Sequence, residues 1–283
     1  MRFNLIGAGR LGKQWGYVLL QNGLGQLQGV YNQRLQSAES VVQQLGMGQA
    51  VTSLNTLPPA EITFITVPDD CIVEITNALL SAKVLSAGNV VVHCSGVLSA
   101  EVLAPLRATG CYVASVHPLK AFTNQQGDKN IFHDCDIVIE GDGFALKQVT
   151  SLLAPLAARF ITIASGNKSL YHAACVMASN YLVTLAAESV ALLHQAGIEP
   201  ELAQAMTLRL MQNNLDNISQ KKSPAEALTG PIARGDLATI QLHLKAIKSP
   251  LTQALYRAAG LATVPLAATD EAHKQAIKAV LEQ

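Results

Sequence analysis

The sequence predicts an α/β protein in which a mostly parallel sheet, covered by helices on both faces, is followed by an all-helical domain. Short apolar runs alternate with segments of helical spacing up to about residue 164, whereas no convincing strand follows Gly166. Continuous apolar strands are typical of parallel sheets, whose crossover helices bury both faces. We therefore expect two domains, at residues 1–164 and 165–283.

The first strand and the turn after it carry a specific signal. The apolar run at 3–6 passes into G-x-G-x-x-G at 7–12, and a segment of helical spacing follows. Gly7 permits the tight turn, Gly9 lets the backbone approach a pyrophosphate, and Gly12 allows close packing of helix on strand. Free N–H groups at the helix N-terminus attract phosphates. A Rossmann dinucleotide-binding domain is therefore predicted; a glycine-rich turn without a ligand is the alternative.

Further strands and helices alternate along the first domain. Strands are predicted at 27–31, 62–67, 90–93, 112–116, 136–140 and 160–163, and helical residues at 41–45, 72–85, 99–106 and 144–157. Ligands bind beyond the carboxyl ends of parallel strands. We therefore expect one cleft lined by the segments 7–12, 32–34, 67–70, 93–96 and 117–120.

The second domain begins with an unusually long helical segment. Residues 168–196 contain no glycine or proline and predict one alanine-rich helix. Its apolar content suits a membrane span, but His172, Asn180 and Glu188 interrupt it, and such groups are costly in lipid. A buried central helix is therefore favoured. Further helices are predicted at 201–217, 224–228, 237–248, 251–259 and 270–281.

The composition limits the classes of function. The chain is 49% hydrophobic and 14% charged, which indicates a globular protein with a large core. Its 20 basic residues balance 20 acidic ones, so the basic surface of a nucleic-acid or anionic-membrane binder is not expected. Five widely spaced cysteines without C-x-x-C predict free thiols in a reducing cytosol and no metal site. A strand that begins after one residue leaves no room for a signal peptide, so a cytoplasmic protein is expected.

The end of the second strand indicates which nicotinamide coenzyme is bound. An acidic residue there binds the ribose 2′-OH of NAD, whereas a nearby arginine suits the 2′-phosphate of NADP. Asn32 carries no charge, Arg34 follows two positions later, and Ser37 and Arg10 offer a hydrogen bond and a second cation. This pattern favours NADP(H) over NAD(H); a solvated Arg34 on an exposed turn is the alternative.

Seven stretches together resemble one enzyme superfamily. They are GAGRLG at 7–12, VPDD at 67–70, HCSG at 93–96, SVHPL at 115–119, KSLYHAA at 168–174, SNY at 179–181 and LTGPIARGD at 228–236. With them the chain resembles the β-hydroxyacid and 6-phosphogluconate dehydrogenase superfamily, which includes ketopantoate and pyrroline-5-carboxylate reductases. Within it, the chain is most similar to the Rossmann-like proteins with a helical domain of unknown function, the DUF2520 group, often described as NADP oxidoreductases.

The resemblance implies more than a fold. It implies a helical domain like the C-terminal domain of 6-phosphogluconate dehydrogenase, homodimers formed largely through it, and an active site between the two domains. In ketopantoate reductases and β-hydroxyacid dehydrogenases a lysine opens the long helix and an asparagine follows one turn later. Lys168 matches the lysine, but His172 stands at the asparagine position, which leaves the substrate open. We expect coenzyme contacts from Gly7, Gly9, Arg10, Leu11, Gly12, Asn32, Arg34, Val67, Pro68, Ser95 and Gly96.

The chemistry of hydride transfer suggests the catalytic residues. A reduced carbonyl or imine accumulates negative charge, so the site needs a proton donor and positioned cations. Lys168 is the first candidate for general acid, because desolvation lowers a lysine pKa; a solvated lysine is the alternative. His172 shares its helix face as a candidate relay or carboxylate ligand. Asn180 is a candidate for holding the substrate or the nicotinamide carboxamide, and core hydrogen bonding is the alternative for both.

Four further residues are candidate substrate ligands. His117 ends a strand at the predicted cleft, or merely closes the turn there. Thr229, Arg234 and Asp236 lie in a turn that leads into a helix. Arg234 suits a bidentate clamp on a carboxylate or phosphate, whereas a turn that only caps the helix is the alternative.

These observations predict an NADP-dependent oxidoreductase that reduces a small carbonyl compound. A 2-keto acid of the ketopantoate type is the specific expectation, with Lys168 as general acid and a CH–OH product. An imine reductase of the pyrroline-5-carboxylate type, which does not rely on a catalytic lysine, is one alternative. A non-catalytic NADP(H)-binding sensor or scaffold is the other, because a fold does not fix a function.

Overall fold

The computed structural model describes residues 1–120 and 128–283. By their internal contacts these residues form two compact units, Met1–Ser179 and Asn180–Gln283. The first unit contains the sheet, and the second is helical. The predicted boundary near residue 164 marks the end of the strands, whereas the compact units divide later, after Ser179.

The first unit is built on one eight-stranded sheet of order β3-β2-β1-β4-β5-β6-β7-β8. Strands β1 to β6 run parallel, β7 is antiparallel to β6, and β8 is parallel to β7. Their bounds are Arg2–Ile6 (β1), Gln26–Tyr31 (β2), Gln49–Val51 (β3), Ile62–Ile65 (β4), Val90–His93 (β5), Tyr112–Pro118 (β6), Asp136–Gly141 (β7) and Arg159–Thr162 (β8). The predicted fold class, a mostly parallel α/β sheet followed by helices, is confirmed. The sequence missed β3, because three residues are too few to show a period.

The helices of the first unit lie between and after these strands. They are α1 (Arg10–Gln21), α2 (Leu35–Leu45), α3 (Ile72–Ala82), α4 (Gly143–Leu153) and α5 (Lys168–Ala178). The helix predicted at 99–106 is a 3₁₀ segment, Ala100–Thr109, that contains Pro105. A proline without an N–H group and with a ring that crowds the preceding turn does not favour an α-helix there.

The second unit contains six α-helices among the residues that the structure describes. They are α6 (Asn180–Gln195), α7 (Pro200–Ser219), α8 (Pro231–Arg234), α9 (Leu237–Ala246), α10 (Pro250–Thr263) and α11 (Glu271–Leu281). Its core is a small apolar cluster that includes Ile240, Val264 and Ile277. The helix predicted at 224–228 is a short 3₁₀ turn, Pro224–Ala227.

The single buried helix predicted at 168–196 is wrong. Ser179 separates α5 from α6 with φ −119° and ψ −70°, at a Ser-Asn pair whose side chains compete for backbone hydrogen bonds. Lys168 is the buried residue of α5, and α6 has none. By length and composition alone the stretch Ser165–Gln195 would suit a membrane span, and one such stretch is weak evidence for a membrane protein.

Two apolar layers cover the two faces of the sheet. Phe64 of β4 belongs to the first layer, with Trp15 of α1 stacked on it at a centroid distance of 5.5 Å. The next residue of β4, Ile65, belongs to the second layer with residues of α3 and the 3₁₀ segment, as the alternating direction of strand side chains requires. The two layers fix the sheet, so the carboxyl ends of its parallel strands form one edge.

The glycine motif brings α1 very close to the sheet. Gly7 has φ +98°, which favours glycine, and a Cβ on Gly12 would lie 2.2 Å from the Gly7 carbonyl oxygen and 2.5 Å from Thr66 Oγ1. The Thr66 hydroxyl donates to that same carbonyl oxygen over 2.8 Å. The start of α1 therefore touches the ends of both β1 and β4.

We expect Gly12→Ala to lower the free energy of unfolding by about 1–3 kcal/mol, because the new methyl overlaps backbone that cannot withdraw. Gly143→Ala is the matched control: Gly143 also lies in the first turn of a helix, and a Cβ there meets nothing within 4 Å. Urea denaturation of both variants measures the difference. Equal midpoints for the two variants would contradict the close approach of α1.

Candidate functional site

A cleft of about 520 Å³ lies beyond the carboxyl ends of β1, β2 and β4. The chain order of the strands reverses between β1 and β4, and ligands of open α/β sheets bind at such a reversal. The wall consists of Gly7, Ala8, Gly9, Lys13, Asn32, Gln36, Ser37, Ser40, Thr66, Val67 and Pro68.

The predicted coenzyme residues fall into three groups in the structure. Five of them line this cleft: Gly7, Gly9, Asn32, Val67 and Pro68. Arg10, Leu11 and Gly12 form the first turn of α1 and exposed Arg34 precedes α2, and these four residues are not part of the cleft wall. Ser95 and Gly96 follow β5 and lie in a second cluster, described below.

One cation of the cleft wall was missed from the sequence. Lys13 lines the cleft, three residues after Arg10 on α1. Residues three apart share a helix face, so this spacing was the available signal. Ser37, which was predicted to add a hydrogen bond, also lines the cleft, with Gln36 and Ser40 of α2. The cleft wall thus combines glycine backbone, one ammonium and several hydroxyl and amide groups.

Lys168 is the centre of the second cluster. It begins α5, is 2% exposed, and its Nζ donates to the Ser95 carbonyl oxygen and to Ser115 Oγ, each over 2.8 Å. Burial lowers the pKa of Lys168, and the Glu140 carboxylate opposes this shift. The solvated lysine that the sequence left open does not describe this side chain.

Two histidines lie beside this lysine around Gly96. His117 Nδ1 is 2.7 Å from the Tyr171 hydroxyl, and the rings of His117 and His172 are 6.2 Å apart in an edge-to-face arrangement. A Cβ on Gly96 would approach His172 Cδ2 to 2.5 Å and His117 Nε2 to 2.9 Å. Burial, helped by the charge of Lys168, lowers the pKa of His117 to about 4. His117 is therefore a neutral hydrogen-bonding group at pH 7.

His93, at the end of β5, holds the loop that carries Ser95. It is fully buried; its Nδ1 accepts from the Ser95 N–H over 3.2 Å, and its Nε2 lies 3.1 Å from the Ser99 carbonyl oxygen. Nε2 therefore carries the proton and donates. Burial lowers the pKa of His93 to about 4, so the side chain is neutral and acts as a fixed link within the loop.

Four predicted residues belong to the second unit. Thr229 lines a separate cavity of about 370 Å³ in that unit. Asp236 caps α9, accepting from the Thr239 N–H over 3.1 Å and from its hydroxyl over 2.7 Å, which is the capping role that the sequence left as an alternative. Arg234 ends α8 and Asn180 begins α6, both exposed.

Tyr171 and Glu140 were also missed from the sequence. Tyr171 is three residues after Lys168 on α5, so helical spacing was its signal. Glu140 directly follows the apolar residues 137–139 of β7, and an acidic residue at the end of such a run was the signal available. Across the described ranges 1–120 and 128–283, there is no group of three or more His, Cys, Asp or Glu residues arranged for a metal, and the five cysteines are free.

The neutral histidines make stability depend on pH. The pKa of His93 is about 4 in the folded chain and about 6.5 when unfolded, so the unfolded chain binds more protons between these values. We therefore expect the free energy of unfolding to fall as the pH drops from about 6.5 to about 4. His93→Gln should reduce that slope by up to about 1.4 kcal/mol per pH unit.

Urea denaturation across this pH range measures the effect. His133→Gln is the control, because the His133 side chain is 58% exposed. An unchanged slope in His93→Gln would show that His93 is charged in the folded chain.

The chain matches two family models. Residues 1–118 match a Rossmann-like domain, and residues 135–263 match DUF2520, a domain of unknown function. A search of curated proteins gives no match.

Solved structures share this fold over the whole chain. A Bacteroides fragilis protein to which NADP oxidoreductase activity is ascribed is 20% identical, with a TM-score of 0.77 over 93% of this chain and 98% of that one. A Thermotoga maritima protein is 26% identical, with a TM-score of 0.67 over 99% and 100%. The imine reductase of Myxococcus stipitatus, in complex with NADP⁺, is 17% identical, with a TM-score of 0.68 over 100% of both chains.

Proposed function

We propose that this chain, which carries a Rossmann-like domain followed by a DUF2520 domain, is an NADP-dependent oxidoreductase that reduces a small carbonyl compound. The observation that carries the proposal is the buried Lys168 ammonium, held by Ser95 and Ser115 beside two histidines. A buried amine of lowered pKa, grouped with imidazoles, is characteristic of sites that move protons. Structural neighbours that are NADP-bound or ascribed NADP oxidoreductase activity support the same class.

The first cleft suits a dinucleotide. A Cβ on Gly9 would meet nothing within 4 Å, so the backbone there is open to a pyrophosphate. No side chain caps the N-terminus of α1, which leaves its N–H groups for an anion. Lys13 supplies a cation on the wall. We propose NADP(H) over NAD(H), because Asn32 places no carboxylate against a 2′-phosphate and Arg34 is exposed nearby.

The second cluster suits the proton-transfer half of a reduction. When bound, NADPH would supply the hydride, and the negative charge that would develop on the carbonyl oxygen calls for a proton donor. Lys168 uses two of its three ammonium hydrogens on Ser95 and Ser115, and the third is the proton that we assign to the product alcohol. Its lowered pKa makes it a stronger acid than a solvated lysine. Neutral His117 then orients the substrate by a hydrogen bond, without adding charge.

A 2-keto acid is the proposed substrate class. Its carboxylate would be attracted by the Lys168 charge, and the carbonyl is adjacent to that carboxylate. Imine reduction is the competing proposal, supported by the likeness to the Myxococcus stipitatus imine reductase. The third proposal is a sensor that binds NADP(H) without turnover.

Lys168→Gln tests the assignment of the proton donor. We expect kcat for NADPH oxidation with 2-keto acids to fall by about 10²–10⁴-fold, with the Kd for NADPH within about twofold. Lys147→Gln, at an exposed lysine of α4, is the control. A panel of keto acids, aldehydes and cyclic imines is followed by absorbance, with circular dichroism as the check on folding.

The outcomes separate the three proposals. Keto-acid turnover that survives Lys168→Gln would contradict the role of the lysine. Turnover of cyclic imines alone would favour imine reduction. Tight NADPH binding with no consumption across the panel would favour the sensor.

Arg34→Ala tests the choice of coenzyme. We expect the Kd for NADPH to rise about tenfold and that for NADH to change little, because loss of a charge-assisted hydrogen bond to the 2′-phosphate costs about 1.5 kcal/mol. Arg209→Ala, at an exposed arginine of the second unit, is the control. Titration calorimetry with both coenzymes measures the difference. Equal weakening for NADPH and NADH would contradict a contact with the 2′-phosphate.

We also propose a cytoplasmic homodimer whose only ligands are coenzyme and a small substrate, without nucleic acid or membrane. The homodimer is supported by the exposed apolar surface of α6 and α7, where Val183 is 69% and Leu210 is 64% exposed. Apolar surface of this kind on a globular chain marks an interaction face.

A further inference from the structure

Glu140 is a buried carboxylate with two fixed hydrogen bonds. It lies in β7 and is 2% exposed. Its Oε1 accepts from the Ala100 N–H and its Oε2 from the Ser165 hydroxyl, each over 2.6 Å. Among the ion pairs of the described chain, none includes Glu140. A buried charge is costly unless hydrogen bonds and an opposite charge compensate it, so a positive group is expected close to Glu140.

Sheet register places Glu140 on the same face as the Lys168 cluster. Glu140 of β7 is directly opposite Ser115 of β6 in the antiparallel pair, and opposite residues project to the same side. The Ser115 hydroxyl is one of the two acceptors for Lys168 Nζ. The carboxylate and the ammonium are therefore neighbours across a single strand pair, with Ser115 between them.

Glu140 also fixes the backbone that presents the lysine. Ser165 begins the 3₁₀ turn that runs directly into α5, and Lys168 is the first residue of that helix. The bond from the Ser165 hydroxyl to Glu140 ties this turn to β7. The same carboxylate, through Ala100, holds the start of the 3₁₀ segment that follows β5.

We propose that Glu140 is a positioning residue for Lys168, which anchors the turn before α5 and compensates the buried ammonium with its negative charge. The part that concerns turnover rests on the proposed function. The part that concerns the charge state of Lys168 does not.

Glu140 is the principal buried negative charge near Lys168, as a comparison with the other groups that face Lys168 shows. They are Cys94 after β5, Asp69 before α3, Cys175, Tyr171 and His172 on α5, His93 of β5 and His117 of β6. Burial raises the pKa of Cys94 to about 12 and lowers the pKa of His93 and His117 to about 4, so these three are neutral at pH 7. Burial also raises the pKa of Tyr171. Asp69 is exposed, and solvent screens its charge.

Glu140→Gln removes the charge and keeps the hydrogen bonds. The amide oxygen can still accept from Ala100, and the amide N–H can donate to Ser165. In the chain labelled with ¹³Cε-lysine, the Lys168 signal is assigned by its loss in Lys168→Arg and followed by NMR against pH. We expect the midpoint of its titration to fall by about one pH unit in Glu140→Gln, because an opposing charge near an amine favours its protonated form.

Two control variants distinguish the effect of the Glu140 charge from the effects of its hydrogen bond to Ser165 and of a Glu→Gln change elsewhere. Ser165→Ala removes the hydroxyl that anchors the turn and keeps the carboxylate, so the Lys168 midpoint should stay within about 0.3 pH unit of the wild type. Glu61→Gln makes the same chemical change at a carboxylate that is paired with Arg2 on the surface, and it should leave the midpoint unchanged. A midpoint unmoved in Glu140→Gln, or moved equally in Ser165→Ala, would overturn the proposal.

A double variant decides the case in which Glu140→Gln does not fold. If Glu140→Gln fails to fold because the buried Lys168 ammonium has lost its counter-charge, the double variant Glu140→Gln/Lys168→Gln should fold, since both charges are removed. If the double variant stays unfolded while Lys168→Gln folds, Glu140 serves the fold independently of Lys168, and the proposal is wrong.

Kinetics test the part that rests on the proposed function. For a substrate that is turned over, the basic limb of kcat against pH should shift to lower pH in Glu140→Gln by the same interval as the NMR midpoint. If the basic limb of the kcat–pH profile is unchanged in Glu140→Gln while the NMR midpoint shifts, Lys168 is not the proton donor. Absence of turnover in the wild type would refute the proposed function, and the NMR result would still decide the role of Glu140.

Discussion

The polar cluster at β5, β6 and α5 depends on the burial of one ammonium group. Lys168 is 2% exposed and its hydrogens reach the Ser95 carbonyl oxygen after β5 and the Ser115 hydroxyl on β6. A buried cation is tolerated only where acceptors are already in place, so the loop after β5, the middle of β6 and the start of α5 must be ordered together. His93 orders the loop after β5 by accepting a hydrogen bond from the Ser95 N–H. The Ser165 hydroxyl connects the start of α5 to β7.

One edge of the sheet therefore carries two chemically different regions. Around β1, β2 and β4 the wall is glycine backbone and hydroxyl groups, with the ammonium of Lys13, which suits a phosphate. Around β5 and β6 the polar groups are buried or half-buried, and burial keeps His93 and His117 neutral by lowering their pKa, which suits proton transfer at a carbonyl. The parallel order of the strands brings both regions to the same edge, so one topology serves binding and chemistry.

The residues predicted to contact the coenzyme are distributed over both of these regions. Gly7, Gly9 and Asn32 line the cleft as their positions after parallel strands require. Ser95 and Gly96 were assigned to the coenzyme because they also follow a strand, but the structure groups them with Lys168 and the histidines. The position of a residue directly after a strand predicts the edge of the sheet on which the residue lies. It does not predict which side chains from other strands or helices it contacts there. Asp236 illustrates the same limit, since a side chain that caps α9 has the same sequence signature as a ligand in a turn.

The sequence by itself determined the parallel α/β order, the turn at Gly7 and the approach of α1 at Gly12, because these follow from local periodicity and from backbone that only glycine permits. Only the tertiary structure decided the reversed direction of β7, the division of the long helix at Ser179, and the burial of Lys168. The reason is physical: strand direction, and the compensation of a buried charge, depend on contacts between distant residues. Glu140 and Lys168 acquire their relation from the register of β6 and β7, and no spacing along the chain encodes it.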